Sequence, residues 1–140
     1  MSYLLDTNVI SELRKPARRA SASVRAWVAD RAPLDLYLSV ITILEVEIGI
    51  ERVARRDPAQ GNRLQVWLDE ELLDSFAGRV LPVDVSVARR AACLHVPDPR
   101  PERDALIAAT AVVHGLTIVT RNVKDFVALD VPIINPWGMS

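Results

Sequence analysis

"LLDTNVISEL", residues 4–13, decides the fold. Leu4 and Leu5 end a short apolar run over residues 2–5, and a helical pattern over 8–14 follows at once. That is a buried strand turning directly into a helix, with Asp6 at the join. A charge at the end of a buried strand is costly unless something pairs with it. Asp6 therefore reads in two ways, as the N-cap of the helix or as one wall of a metal site.

The same alternation runs along the chain. Short apolar strands are expected at 35–40, 80–83, 116–120 and 131–134, and helices at roughly 20–31, 42–56, 60–77, 84–95, 103–114 and 122–128. In the 60–77 segment Leu64, Trp67, Leu68, Leu72 and Phe76 recur at the three-to-four spacing of an amphipathic helix. Leu106, Ile107, Ala111 and Val112 do the same before Gly115, which stops the helix ahead of the next strand. Strands alternating with helices predict an α/β fold, a mainly parallel sheet covered on both faces, with ligands outside the carboxyl ends of the strands. Asp6 is at such an end. "VPDPRP" at 96–101 is a loop too short to divide domains, so one domain over 1–140 is expected.

Size and charge narrow the function. With 140 residues, half of them hydrophobic, the chain can bury a core without disulfide or metal staples. A single cysteine, Cys93, allows no internal disulfide, and its flanks Ala91, Ala92 and Leu94 predict a small packing residue. No charged leader with a long apolar core opens the sequence and no apolar run nears the roughly 20 residues of a membrane span, so a cytoplasmic protein without membrane contact is expected. The net charge of −1 argues against a passive nucleic-acid coat. Yet 15 of the 17 basic residues are arginine, the side chain best matched to phosphate, and Arg14, Arg18 and Arg19 cluster after the first helix.

Eighteen acidic residues are too many to treat alike, so position is the filter. Asp6 after strand one, Glu45 in the helix after strand two and Asp104 opening the helix before strand four pass it. Each has a purely structural explanation: Asp6 a cap, Thr42–Glu45 a capping box, Asp104 a charge favoured by a helix dipole. None of these explains the apolar flanks around all three. Converging acids in such a setting raise one another's pKa unless a cation neutralises them. All-oxygen ligands suit Mg²⁺, with Mn²⁺ as a substitute, whereas zinc prefers His or Cys. His95 and His114 form no ligand-spaced pair and read as structural or surface residues. Glu47 and Glu51 point away from Glu45 round the helix and read as surface charges. Glu12, six residues after Asp6, is a weaker candidate for the cleft.

"YLLDTNVISEL", "SVITILEVEIGI", "ERDALIAATAVVHGLTIVTRNVKDF" and the closing "INPW" together resemble PIN-domain proteins of the VapC type, near the FitB-like branch, across the whole chain. The resemblance implies a three-layer α/β/α domain with a five-stranded sheet. It also implies a Mg²⁺-dependent endoribonuclease acting as the toxin of a toxin–antitoxin pair, with an RNA substrate, an antitoxin partner and a homodimer whose interface Trp27 and Ile50 are candidates to line. The family's first three acids match Asp6, Glu45 and Asp104. Where many relatives carry a fourth, this chain has Asn122, with Asp125 three residues on, and either completes the set. Thr7, Asn8 and Thr120 are candidates to orient the acids. Two other readings are a PIN-like module that binds without cutting, favoured by Asn122, and a haloacid-dehalogenase-like phosphohydrolase. The last needs an aspartate where Asn8 stands.

Overall fold

The computed structural model describes residues 1–138. Its strands are β1 Tyr3–Leu5, β2 Leu36–Ser39, β3 Val80–Leu81, β4 Thr117–Val119 and β5 Ile133–Ile134. They form one sheet in the order β3-β2-β1-β4-β5, every neighbouring pair parallel. The helices are α1 Thr7–Arg14, α2 Ala22–Ala29, α3 Val40–Arg56, α4 Pro58–Trp67, α5 Val85–Leu94, α6 Glu102–His114 and α7 Val123–Val127. The single helix expected over 60–77 is divided: α4 passes into a π-helical turn, Leu68–Leu72, and a last helical turn, Leu73–Ser75.

β1 is central because all three of its residues are apolar and all are buried. Alternate side chains point to opposite faces of a strand, and the two cores follow from that. Tyr3 and Leu5 join Val9, Ile10, Val24, Trp27, Ile50, Leu68 and Val119 in the cluster on the side of α1–α4. Leu4, paired in register with Ile118, joins Ile107, Ala108, Ala111 and Phe126 on the other. Layers of helix, sheet and helix result. Trp27 and Ile50 are consequently core residues, 5% and 4% exposed, and line no subunit surface. Trp27 meets Tyr3 edge-on at 4.9 Å between ring centroids, with the Arg31 guanidinium 4.5 Å above the indole. Cys93 also departs from expectation. It is exposed, on the outer side of α5.

Local chemistry sets the helix ends. Asp57 caps α4 by accepting from the Gln60 amide at 3.1 Å, with Pro58 in the first helical position. Gly115, at φ +67°, ends α6 in a left-handed turn; its N–H reaches the Val112 carbonyl at 3.3 Å and that of Leu116 reaches Ala111 at 2.8 Å. The chain then enters β4. Where α3 and α4 pack, Gly61 allows a close approach: a Cβ there would lie 2.5 Å from the Ala54 methyl. Among the described residues no helix is long and apolar enough to cross a membrane.

Candidate active site

The chain lays down β1, β2 and β3 to one side and β4 and β5 to the other, so strand order reverses between β1 and β4. The space outside their carboxyl ends is the switch point where such sheets bind ligands. Asp6 and Thr120, each the first residue after its strand, meet there. The Asp6 amide donates to the Val119 carbonyl at 2.9 Å, continuing the ladder by one residue. Its carboxylate caps the helix and is also held from a second side. Oδ1 accepts from the Thr7 amide at 2.8 Å and caps α1, while Oδ2 accepts from the Thr120 hydroxyl at 2.8 Å and the Asn8 amide at 3.3 Å. Asn8 in turn accepts from the Arg121 amide at 3.3 Å, and Thr120 Oγ from that of Asn122 at 3.0 Å. One network ties the two strand ends together.

Glu45 arrives differently. α3 begins at Val40, capped by the Ser39 hydroxyl, which accepts from the Ile41 amide at 3.0 Å. Thr42 is therefore already inside the helix and buried, and the expected Thr42–Glu45 capping box does not form. Glu45 instead accepts from the Thr7 hydroxyl at 2.5 Å, with Thr42 Oγ 3.2 Å from Thr7 Oγ. Its other oxygen lies 3.8 Å from the Arg103 guanidinium. Asp104 stands in the first turn of α6, where the dipole favours a negative charge. Burial nevertheless pushes its carboxyl up to about 6, helped by the charges of Asp125, Asp6 and Glu45 and opposed by Arg103. Burial likewise raises Asp6, against the hydrogen bonds from Thr120 and Thr7 and with added repulsion from Glu45 and Asp125. The acids share one electrostatic field.

An open cavity of about 430 Å³ collects them: Asp6, Thr7, Asn8, Glu45, Asp104 and Asn122 all line it. Asp125 is exposed on α7 and acts on Asp6 and Asp104 through its charge, outside the cavity wall that Asn122 occupies. Among the described residues no three His, Cys, Asp or Glu side chains form a ready-made metal cage. The oxygen-only donors spread around an open cavity suit a cation that keeps part of its water shell, as Mg²⁺ does, better than a closed zinc site. His95 is occupied elsewhere, its Nδ1 accepting from the Arg100 amide at 3.1 Å, and exposed His114 ends α6. Glu51 is exposed and Glu47 accepts from Gln65 at 3.3 Å on the outer side of α3.

Glu12 does reach the cavity. It is buried, accepts from Lys15 at 3.0 Å and from the Ser21 amide at 2.8 Å, and these bonds lower its pKa. Lys15, Arg121 and Trp137 complete the lining, the Arg121 guanidinium 5.5 Å from the Trp137 ring. Sequence reasoning had not assigned these three to the site. Arg121 and Trp137 were within reach of the filter that found Asp6, since both follow the carboxyl ends of strands; that filter had been applied to acids alone.

The chain as a whole is similar to known proteins. The PIN domain family matches residues 3–131. Toxin FitB of Neisseria gonorrhoeae is 39% identical, with 96% of this chain and 97% of that protein covered. VapC ribonuclease Y4jK of Sinorhizobium fredii is 40% identical, with 96% of each covered. Among solved structures, FitAcB from Neisseria gonorrhoeae superposes with a TM-score of 0.89 at 37% identity, covering 98% of this chain and 99% of that one. A toxin–antitoxin complex from Klebsiella pneumoniae gives 0.70 at 27% identity, covering 96% and 98%. With acids from β1, α3 and α6 gathered at the reversal of a five-stranded parallel sheet, and with kinship spanning nearly the whole chain, the protein belongs to the PIN-domain family.

Proposed function

We propose that this chain is a Mg²⁺-dependent endoribonuclease, the toxin of a toxin–antitoxin pair. The observation that carries the reading is the convergence of Asp6, Glu45 and Asp104 from distant segments on one cavity, where Asp6 and Asp104 are held above their ordinary carboxylate range. Its support from kinship is a relative named as a VapC ribonuclease, another named as a toxin, and a neighbour solved as a toxin–antitoxin complex.

Asp6, Glu45 and Asp104 would hold Mg²⁺, or Mn²⁺ in its place. The chemistry such a cation would supply there is a bound water of lowered pKa and neutralisation of charge on the phosphoryl oxygens. The chain's own groups do the rest. Thr120, Asn8 and the Thr7 amide fix the Asp6 carboxylate, and the Thr7 hydroxyl fixes Glu45, which accepts the water's proton. Lys15 and Arg121 line the same cavity as the acids and would meet the RNA backbone there, and exposed Arg14, Arg18 and Arg19 extend the cationic surface, so binding should weaken with salt. No histidine stands in the cavity to deprotonate a 2′-hydroxyl. The products should therefore carry 5′-phosphate and 3′-hydroxyl ends. The cognate antitoxin and a second copy of the chain are the protein partners in this reading, and its place is the cytoplasm.

Expression of the wild type beside Asp6→Asn and Asp104→Asn tests it, with growth, Mg²⁺-dependent cleavage and sequencing of RNA ends as readouts. Equal toxicity of all three would leave the non-cutting binding module that Asn122 favours. A 2′,3′-cyclic phosphate as main product would sink the mechanism.

A further inference from the structure

A second cavity of about 200 Å³ adjoins the acidic one, and Thr7, Ser11 and Glu45 belong to the walls of both. Past this shared wall the lining is mostly apolar, with Val46, Ile50 and Val53 from α3 and Leu64 and Trp67 from α4, and Arg14 is its one charged member. Gly49 lies in its wall, in the interior of α3 and exposed. Glycine there weakens the helix relative to alanine, yet a Cβ at Gly49 would meet nothing within 4 Å. Packing supplies no reason for glycine at this position, in contrast to Gly61. Glycine leaves this exposed stretch of the cavity wall without a side chain.

We propose that this cavity receives the base of a nucleotide adjoining the cleaved phosphodiester, with Gly49 keeping it clear and Trp67 forming part of its apolar wall. The inference rests on the ribonuclease reading above. A phosphate at Asp6 and Glu45 puts the neighbouring base within one nucleotide of the shared wall. Single-stranded RNA is read by splaying bases onto aromatic and apolar side chains. The volume is below the roughly 300 Å³ typical of sites for drug-sized ligands, which suits one flat ring system. A docked amphipathic helix needs a longer row of anchor points.

Short oligoribonucleotides, intact or abasic on one side of the scissile bond, provide the test, with kcat/KM in Mg²⁺ measured for wild type, Gly49→Ala, Gly49→Leu and Trp67→Leu. Removing the base on one side should lower wild-type kcat/KM about ten-fold. Gly49→Leu should cleave the intact oligonucleotide no better than wild type cleaves the abasic one. Gly49→Ala should raise Tm and show a partial loss of preference, and Trp67→Leu should lose it from the opposite wall if Gly49→Leu does not fold. Cleavage indifferent to the missing base, or full base preference in Gly49→Leu, overturns the base pocket and leaves the ribonuclease reading intact. Wild type that cleaves none of the oligonucleotides overturns both. Unchanged base preference with a weakened hold on a co-expressed antitoxin assigns the cavity to protein and overturns the proposal.

Discussion

Two corners of one cavity hold carboxylates in opposite states. At the carboxyl end of β1 and in the first turn of α6, Asp6 and Asp104 are pushed above their ordinary pKa by burial and by other acids. At the end of α1, Glu12 is also buried, yet Lys15 and the Ser21 amide pull its pKa down. Both side chains have little exposed surface, but Asp6 lies deep at the sheet edge, where burial dominates, whereas Glu12 lies shallow and its hydrogen bonds to Lys15 and Ser21 dominate; depth and partners together set the sign. The Glu12 corner is satisfied within the chain and ties α1 to the start of α2. At the Asp6 corner Arg103 and the hydrogen bonds from Thr120 and Thr7 offset burial and mutual repulsion only in part, so the acids stay raised.

The sharpest way to break the contrast is to neutralise one acid on each side. Asp6→Asn or Asp104→Asn should reduce RNA cleavage by ~100-fold or more, equivalent to about 3 kcal/mol of transition-state stabilisation, without loss of fold. Glu12→Ala should do the reverse, lowering stability by about 2 kcal/mol and Tm by roughly 4–8 °C because the Ser21 amide loses its buried acceptor. Circular dichroism melts beside cleavage assays separate the two; a stable, inactive Glu12→Ala would erase the distinction.

Cation binding gives a smaller effect. Mg²⁺ at ten times its dissociation constant should stabilise the wild type by about 1.4 kcal/mol and leave Asp6→Asn unmoved, read as a Tm shift. Equal shifts in both would place the cation elsewhere.

Smallest is the pH response without Mg²⁺. Asp104 binds its proton more tightly folded than unfolded, so the folded chain holds the extra proton and gains stability as pH falls from about 6 towards 4. Asp6 acts in the same direction. Glu12, with its lowered pKa, opposes them: its contribution is present above its unfolded pKa and is lost as pH falls through its folded one. After solvent screening the Asp104 part amounts to about 1 kcal/mol. Melts from pH 7 to pH 5 should therefore rise in the wild type and flatten in Asp104→Asn. An unchanged slope in that variant would assign the pH response to other groups.

Much of this was legible along the chain, for reasons particular to each element. Leu4, Leu5 and the runs near 36, 80, 117 and 133 revealed strands because a short apolar run next to a helical period has few other readings. Gly115 revealed a helix end because a left-handed residue is needed there. Asp6 and Asp104 stood out because a strand's carboxyl end or a helix's first turn is itself a local property, and Glu45 because it follows strand two closely, although it lies beyond the first turn of α3. The Thr42–Glu45 box misled because its signature is also local, while the actual start of α3 depends on Ser39 leaving β2. At Trp27 and Ile50 periodicity names a face without saying what covers it, and of the two roles open to them, interface or core, both take the core.

The sequence by itself determined the succession of strands and helices, the Asp6 cap, the Gly115 stop, and that Asp6 and Asp104 stand at element ends, since each depends on residues within a few positions of one another. Only the tertiary structure decided that β4 lies beside β1, bringing Thr120 within 2.8 Å of Asp6 across 114 positions, and that Thr7 rather than a helix cap holds Glu45. It also decided that Glu12 finds Lys15 and Ser21, and that Arg121 and Trp137 share the cavity. Strand order and side-chain partners are set by the simultaneous burial of both faces of the sheet, and no local pattern encodes that.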